Sequence, residues 1–229
     1  MSTLTTATAT GTTVFIIDDD PAMRKSLRFL MESVGLSVQT FGSAQEFLAL
    51  YSPSQRGCIV CDVRMLGMSG LELQERLHEQ GCQLPLILMT AYADVPMAVR
   101  AMKLGAIHFF EKPVNNHLLL EQIHQALANH AERMKDEQKS QYVEERYRRL
   151  TPREAEVMDE VVAGFSSKEI GQRLGVSFKT IEAHRAKIMR KMEVDNVPHL
   201  IRNYLELAPE KRTPKGQDDA FNTDEPAPE

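Results

Sequence analysis

Short apolar runs punctuate the first half of the chain: VFII (14–17), VQTF (38–41), CIVCD (58–62), LILMT (86–90) and IHFF (107–110). Amphipathic stretches near 21–34, 43–51, 69–80 and 95–104 lie between them. Runs of strand length alternating with helical patterns predict βαβ units, and hence a five-stranded, doubly wound parallel sheet with helices on both faces. Ligands of such sheets gather where the carboxyl ends of the strands meet the loops. The acidic residues that follow the first and third runs fall on that edge.

From Leu118 to about Tyr147 the chain has neither Pro nor Gly. Leu119, Ile123, Ala126, Leu127 and Met134 recur at helical spacing, and the sequence then turns polar at KDEQKSQ. One long helix leaving the first domain is the simplest reading; a helix ending near His130 with a flexible tether is the alternative. Residues 151–208 read as a four-helix, all-α domain. Thr151-Pro-Arg-Glu154 has the form of a capping box with Pro at the first helical position. Ser166-Ser-Lys-Glu169 repeats that logic, and Ser177 can cap a third helix over 178–191. A fourth runs from Pro198, with Leu200, Ile201, Tyr204 and Leu205 on its apolar side.

The expected organisation is a disordered leader (1–12), an α/β domain (13–130), a helical linker (131–148), a helical domain (149–208) and a disordered tail (209–229). No run approaches the roughly 18 apolar residues of a membrane span, and a signal-peptide pattern is absent, so the expectation is a cytoplasmic protein with no membrane partner. Three cysteines, an odd number, suit a reducing compartment. Cys58 and Cys61 form a C-x-x-C spacing, but inside a strand residues three apart point to opposite faces, so both read as core.

A net charge of −5 argues against a nucleic-acid partner until it is divided along the chain. Residues 148–208 carry 11 Lys/Arg against 9 Asp/Glu, whereas 14–116 carry 9 against 11, 117–147 carry 4 against 6, and 209–229 carry 3 against 6. The excess sits in residues 179–191, with five basic residues and one acid.

Asp18 and Asp19 end the first strand and Asp62 ends the third. Three unpaired carboxylates at neighbouring strand ends would repel. A hard divalent cation removes that cost, and Mg²⁺ suits a site with few protein ligands and several waters. The fourth strand ends in the hydroxyl of Thr90, and the fifth leads to Lys112. An acid cluster facing a hydroxyl and an ammonium is a place for a phosphoryl group, and a carboxylate there can be the nucleophile. Asp20, before Pro21, reads as a helix N-cap rather than a ligand.

IIDDDP, CDVRM, MTAYAD and EKP, in this order and spacing, resemble the receiver domain of two-component response regulators over about residues 13–130. The resemblance implies a flavodoxin/CheY-like fold, Asp62 as phosphoacceptor, Asp18 and Asp19 as the acidic Mg²⁺ pair, and the backbone carbonyl of Arg64 as a further ligand. It also implies Thr90 and Lys112 as the phosphate-sensing pair, Phe109 at the aromatic switch position, and a cis Lys112–Pro113 bond. One residue departs from the pattern: receivers usually read RMPxMSG, and Leu66 replaces that proline here. A metal-dependent phosphatase with an aspartyl intermediate would need a second carboxylate two residues after the nucleophile, and that position is Arg64. The receiver reading therefore makes the chain no enzyme beyond catalysing its own phosphoryl transfer and dephosphorylation.

KEIGQRLGVSFKTIEAHRAKIMRKM reads as helix, Gly-bearing turn, helix. With LTPREAEVMDEVVAGFSSKEI before it, the stretch resembles the LuxR-type helix-turn-helix domain over roughly 149–208. NVPHLIR and ADVPMAVRAMK narrow the resemblance to the FixJ-like branch of the NarL/LuxR-type family. Ser167 stands where Asn is usual and Gly171 where Ala is usual. The candidate DNA-binding residues are Lys179, Thr180, Glu182, Ala183, Arg185, Lys187 and Arg190. Lys179, Arg185, Lys187, Arg190 and Lys191 have the charge to reach phosphates, though not all from one face. Glu182 and Ala183 match positions that meet base edges in the family; a glutamate can accept from cytosine N4, and alanine can touch a thymine methyl. Ile181, Ile188 and Met192 read as core, and His184 as either packed or DNA-facing.

The combined expectation is a DNA-binding transcriptional regulator of a two-component system, phosphorylated on Asp62 by a sensor histidine kinase. The resemblance adds homodimerisation on phosphorylation, RNA polymerase as a further partner, and double-stranded DNA as the target. Two other classes stay open on the sequence: a phosphorylation-independent regulator with a relic pocket, and a phosphate-flow or protein-binding module.

Overall fold

The structure, a computed structural model, describes residues 12–207. The tail expected over 209–229 and, apart from residue 12, the leader over 1–12 lie outside the described residues. The chain divides into two compact units, with the boundary between Met134 and Lys135.

The first unit alternates strands and helices: β1 (Thr13–Ile17), α1 (Pro21–Ser33), β2 (Ser37–Phe41), α2 (Ala44–Leu50), β3 (Gly57–Asp62), α3 (Gly70–Glu79), β4 (Leu86–Thr90), α4 (Val95–Lys103) and β5 (His108–Glu111). All strand pairs are parallel, in the order β2-β1-β3-β4-β5. The central strands are apolar between their ends because both faces are covered. Phe15, Ile17, Ile59, Cys61, Leu86 and Leu88 lie in one core with residues of α2, α3 and α4. Val14, Ile16, Cys58, Val60, Ile87 and Met89 lie in another, with Leu27 and Met31 of α1. Cys58 and Cys61 thus sit on opposite faces, as period-two alternation requires. Burial pushes the Cys58 thiol up to about 12 and raises that of Cys61 as well, which leaves both inert as nucleophiles.

Helix α5 (Asn116–Tyr147) follows β5. Its Leu119, Ile123, Ala126 and Leu127 complete the α1-side core, while Val143 and Tyr147 are buried among the side chains of the second unit. The second unit continues with α6 (Pro152–Val162), α7 (Ser167–Leu174), α8 (Phe178–Met192) and α9 (Val197–Glu206). Thr151 and Ser166 each close a reciprocal capping box with Glu154 and Glu169, and Ser177 caps α8. Asn196, not Pro198, opens α9, its side chain accepting from the His199 N–H at 2.9 Å. The apolar side expected for α9 needs one correction. Leu200 is buried, but Leu205 is 64% exposed and Asn203 is buried.

Among the described residues no helix is long and apolar enough to cross a membrane.

Candidate functional site

Sheet register builds the acidic pocket. Ile17 pairs with Cys61, so the next residues, Asp18 and Asp62, stand side by side at the carboxyl end of adjacent strands. Oxygens from Asp18, Asp19 and Asp62 all lie within 4.8 Å of one another. Asp18 is 1% exposed and Asp62 6%, so water cannot do much to relieve their repulsion.

Lys112 answers part of it. Its Nζ lies 2.9 Å from Asp18 Oδ2 and 2.9 Å from Asp62 Oδ1. The ammonium is set there by the β5 edge, where the Lys112 N–H donates to the Thr90 carbonyl at 2.7 Å, and Lys112–Pro113 is cis. Burial pulls the Lys112 ammonium down, yet its bonds to the two carboxylates outweigh this and hold it above its ordinary value. Burial raises the Asp62 carboxyl, and the negative charges of Asp18 and Asp19 add to it; Lys112 opposes without cancelling them. Among the described residues, one ammonium for three carboxylates leaves the pocket short of positive charge. A small hard cation fits that donor set, and Asp18, Asp19 and Asp62 could hold it.

The surrounding loops orient the carboxylates. Asp18 Oδ1 accepts from the Asp20 N–H at 2.9 Å, and Arg24 donates to the Asp18 carbonyl at 2.6 Å. Asp20 itself accepts from the Ala22 N–H at 2.8 Å, which makes it the N-cap of α1. Asp19 Oδ2 accepts from the Leu66 N–H at 2.9 Å, a bond that a proline at this position could not donate. The Leu66 side chain itself is exposed. The Arg64 guanidinium sits 4.9 Å from the centroid of the Tyr92 ring, so its side chain turns to the β4–α4 loop. Thr90 is fully buried, its hydroxyl bonded to the Tyr92 N–H at 3.3 Å. Phe109 is half-buried against the α2, α3 and α4 side of the core. Sequence reasoning brought Asp18, Asp19, Asp62 and Lys112 to one place, and they do meet. It missed the Leu66 and Tyr92 contacts, which depend on loop conformation.

In the second unit, α7, the turn at Gly175 and α8 form a helix-turn-helix. On α8, Lys179, Thr180, Glu182, Ala183, Lys187 and Arg190 are exposed, whereas Arg185 is half-buried with its Nε 3.9 Å from Glu182 Oε1. Thr180 shares a 2.8 Å hydroxyl bond with the capping Ser177. Ile181, Ile188 and Met192 are buried, as their spacing requires. His184 is half-buried, with Nδ1 enclosed and unbonded among the described residues.

Lys191 does not belong with the phosphate-reaching residues. Its Nζ bonds the Arg149 carbonyl at 2.9 Å and Glu154 Oε2 at 2.6 Å. Glu154 is buried, and the same oxygen accepts from the Thr151 N–H at 2.9 Å. Burial works against its charge, but Lys191 and the cap outweigh burial and hold the carboxyl below its usual 4.5. Glu154→Ala removes a charge-assisted bond and half a capping box, so it should cost the helical unit about 2–3 kcal/mol. The folded-state value is depressed, so this stabilisation is present above the unfolded-state value and is lost as pH falls through the folded one. Denaturant melts should therefore show the wild-type advantage at pH 7 and a shrinking one below about pH 4.5. An equal gap at both ends of that range would mean that the charge contributes nothing.

Known proteins share both halves of this architecture. Residues 14–124 match the response regulator receiver domain family, and residues 148–204 match the bacterial regulatory proteins of the luxR family. The chain is 42% identical over 196 residues to the transcriptional regulatory protein TdiR of Thauera aromatica, covering 86% of each. It is 44% identical over 192 residues to the transcriptional regulatory protein FixJ of Azorhizobium caulinodans, covering 84% of this chain and 91% of that one. The solved structure of the response regulator StyR superposes with a TM-score of 0.80 at 41% identity, over 85% of this chain and 98% of that one.

Proposed function

Because the chain belongs to the two-component response regulators, with a receiver domain followed by a LuxR-type DNA-binding domain, we propose that phosphorylation of Asp62 by a sensor histidine kinase switches its binding to double-stranded DNA. The observation that carries this reading is the convergence of three carboxylates and one ammonium at the sheet edge, where burial and acidic neighbours raise the Asp62 carboxyl despite Lys112. Asp62 supplies an oxygen lone pair to the phosphorus; the O–P bond forms as the P–N bond to the donor's histidine breaks, and the imidazole leaves with that electron pair.

A divalent cation, Mg²⁺ by its oxygen preference, supplies neutralisation of the phosphoryl oxygens when bound. Asp18, Asp19, Asp62 and the Arg64 carbonyl are the residues that would hold it. Lys112, 2.9 Å from Asp62 Oδ1, and Thr90 at the end of β4 would be the groups that meet a phosphoryl group on Asp62. Converting the Asp62 carboxylate to an acyl phosphate replaces one negative charge by up to two, a net gain of about one, and Phe109 fills the space that Thr90 leaves as it moves. Residues 13–130 serve as the receiver, 131–148 as the linker and 149–208 as the DNA reader. Homodimerisation of phosphorylated receivers would bring two recognition helices to half-sites about one helical turn apart. RNA polymerase is the downstream partner that this role requires, and the cytoplasm its place.

The test is DNA binding by the full-length protein across a salt series, with and without a small phosphodonor. Affinity for selected fragments should fall steeply with salt, and the phosphodonor should raise it. Lys187→Ala and Arg190→Ala should weaken all sequences alike and flatten the log–log salt slope by about one unit for each phosphate no longer neutralised. Salt-insensitive binding would point to a protein-binding module, and indifference to the phosphodonor to a relic pocket.

A further inference from the structure

Ser167 and Gly171, the two departures from the usual helix-turn-helix pattern, both face the junction between α7 and α8: Ser167 meets Glu182 and Gly171 meets the Val176–Phe178 turn. Ser166, not Ser167, caps α7: its hydroxyl donates to Glu169 Oε2 at 2.6 Å and accepts from the Glu169 N–H at 3.4 Å. The Ser167 hydroxyl is therefore spare. It is buried, and it donates to Glu182 Oε1 on α8. A serine side chain is short, so the bond needs the two helices close. A Cβ on Gly171 would meet the Val176 carbonyl oxygen at 2.8 Å, so glycine there lets α7 sit tight against the turn that leads into α8.

The same Glu182 oxygen that takes the serine proton also lies 3.9 Å from Arg185 Nε. The serine hydroxyl thus holds Oε1, with the Arg185 guanidinium at ion-pair range, while Glu182 as a whole remains exposed. A free glutamate on a helix surface samples many rotamers and must be ordered when it meets a base edge.

We propose that Ser167 is a positioning residue for base reading: it pins one oxygen of Glu182, so that the other is presented in a fixed direction as the acceptor for a cytosine amino group. This rests on the DNA-reading role proposed above and names the device that sharpens it. The base contact itself is Glu182's; Ser167 acts only through it. Serine, unlike a longer donor, restricts the carboxylate to a narrow arc, so preference at one base position depends on a residue outside the recognition helix.

The experiment measures full-length wild type, Ser167→Ala, Ser167→Thr, Glu182→Ala and the Ser167→Ala/Glu182→Ala double variant against a complete base-substitution series of a selected site. Thermal melts and salt slopes accompany each. Glu182→Ala should lose roughly 5- to 150-fold of discrimination at one position. Ser167→Ala should lose about 2- to 10-fold at that same position with its salt slope unchanged. Ser167→Thr, which keeps the hydroxyl, should retain preference, and the double variant should lose no more than Glu182→Ala alone. If Ser167→Ala leaves preference intact while Glu182→Ala relaxes it, Ser167 is merely structural and the proposal fails alone. Sharper preference in Ser167→Ala also overturns it, because the serine would then be holding Glu182 back. Should wild type show no salt-dependent DNA binding at all, the underlying reading fails first.

Discussion

Asp62→Asn should abolish phosphorylation while leaving the protein folded and no less stable than wild type. The chemistry follows from the pocket. An attacking carboxylate offers a charged oxygen lone pair, and the amide oxygen that replaces it is neutral and a poor nucleophile. Asp62 stands at the end of β3 beside Asp18, with Lys112 bridging the two, and Asp18 and Asp19 are expected not to take its place as nucleophile. The stability expectation follows from the direction of the Asp62 shift. Burial and its acidic neighbours hold its folded-state value above the unfolded one, so the ionised side chain costs stability once pH rises past the unfolded value. Asparagine keeps the shape and removes that cost, at the loss of one of the two carboxylate partners of Lys112. Labelling by a small phosphodonor, with acid and hydroxylamine sensitivity as the signature of an acyl phosphate, reads the first outcome; a denaturant melt reads the second. Wild-type labelling in a folded Asp62→Asn protein would defeat the assignment of the nucleophile.

Fold and pocket were legible in the chain for different reasons. Strand and helix positions follow from periodicity, and the five runs expected near 14–17, 38–41, 58–62, 86–90 and 107–110 each lie within one residue of an observed strand. Caps follow from local chemistry, which is why Asp20, Thr151, Ser166 and Ser177 could be assigned from a few residues each. The acidic pocket follows from topology, because a parallel sheet delivers every strand end to one edge. Side-chain partners follow from none of these. Lys191 and Lys187 are equally basic on the same helix, yet Lys191 turns to the buried Glu154 and Lys187 stays exposed. Leu205 continues an apolar pattern but is exposed, while Asn203 is buried. The link from Leu66 to Asp19 runs through a backbone N–H, which no pattern of side chains encodes.

Gly70→Ala carries the other large expected effect, and it joins the fold to the chemistry. Gly70 opens α3, and its N–H donates to the Val63 carbonyl at 2.9 Å, drawing the helix against the end of β3. A Cβ at this position would lie 2.3 Å from the Asp62 carbonyl oxygen and 3.0 Å from Val63 Cα. Both are backbone atoms at the end of a central strand, so neither can swing aside as a flexible side chain would. The methyl must push α3 outward or shift the backbone that carries Asp62. Overpacking of this kind typically costs about 1–3 kcal/mol, and the upper part of that range is expected here because the obstacle is main chain. Gly81→Ala separates this close approach from simple loss of glycine's freedom. Gly81 sits at φ +68°, with nothing within 4 Å of an added Cβ, so alanine there should cost only about 1–2 kcal/mol of left-handed strain. The two variants should also part in function. Gly81→Ala should be phosphorylated at the wild-type rate, whereas Gly70→Ala should be phosphorylated more slowly even at temperatures where it is fully folded. If Gly70→Ala matches wild type in both melting and labelling, α3 can retreat without moving Asp62, and the close approach of Gly70 is incidental to the site.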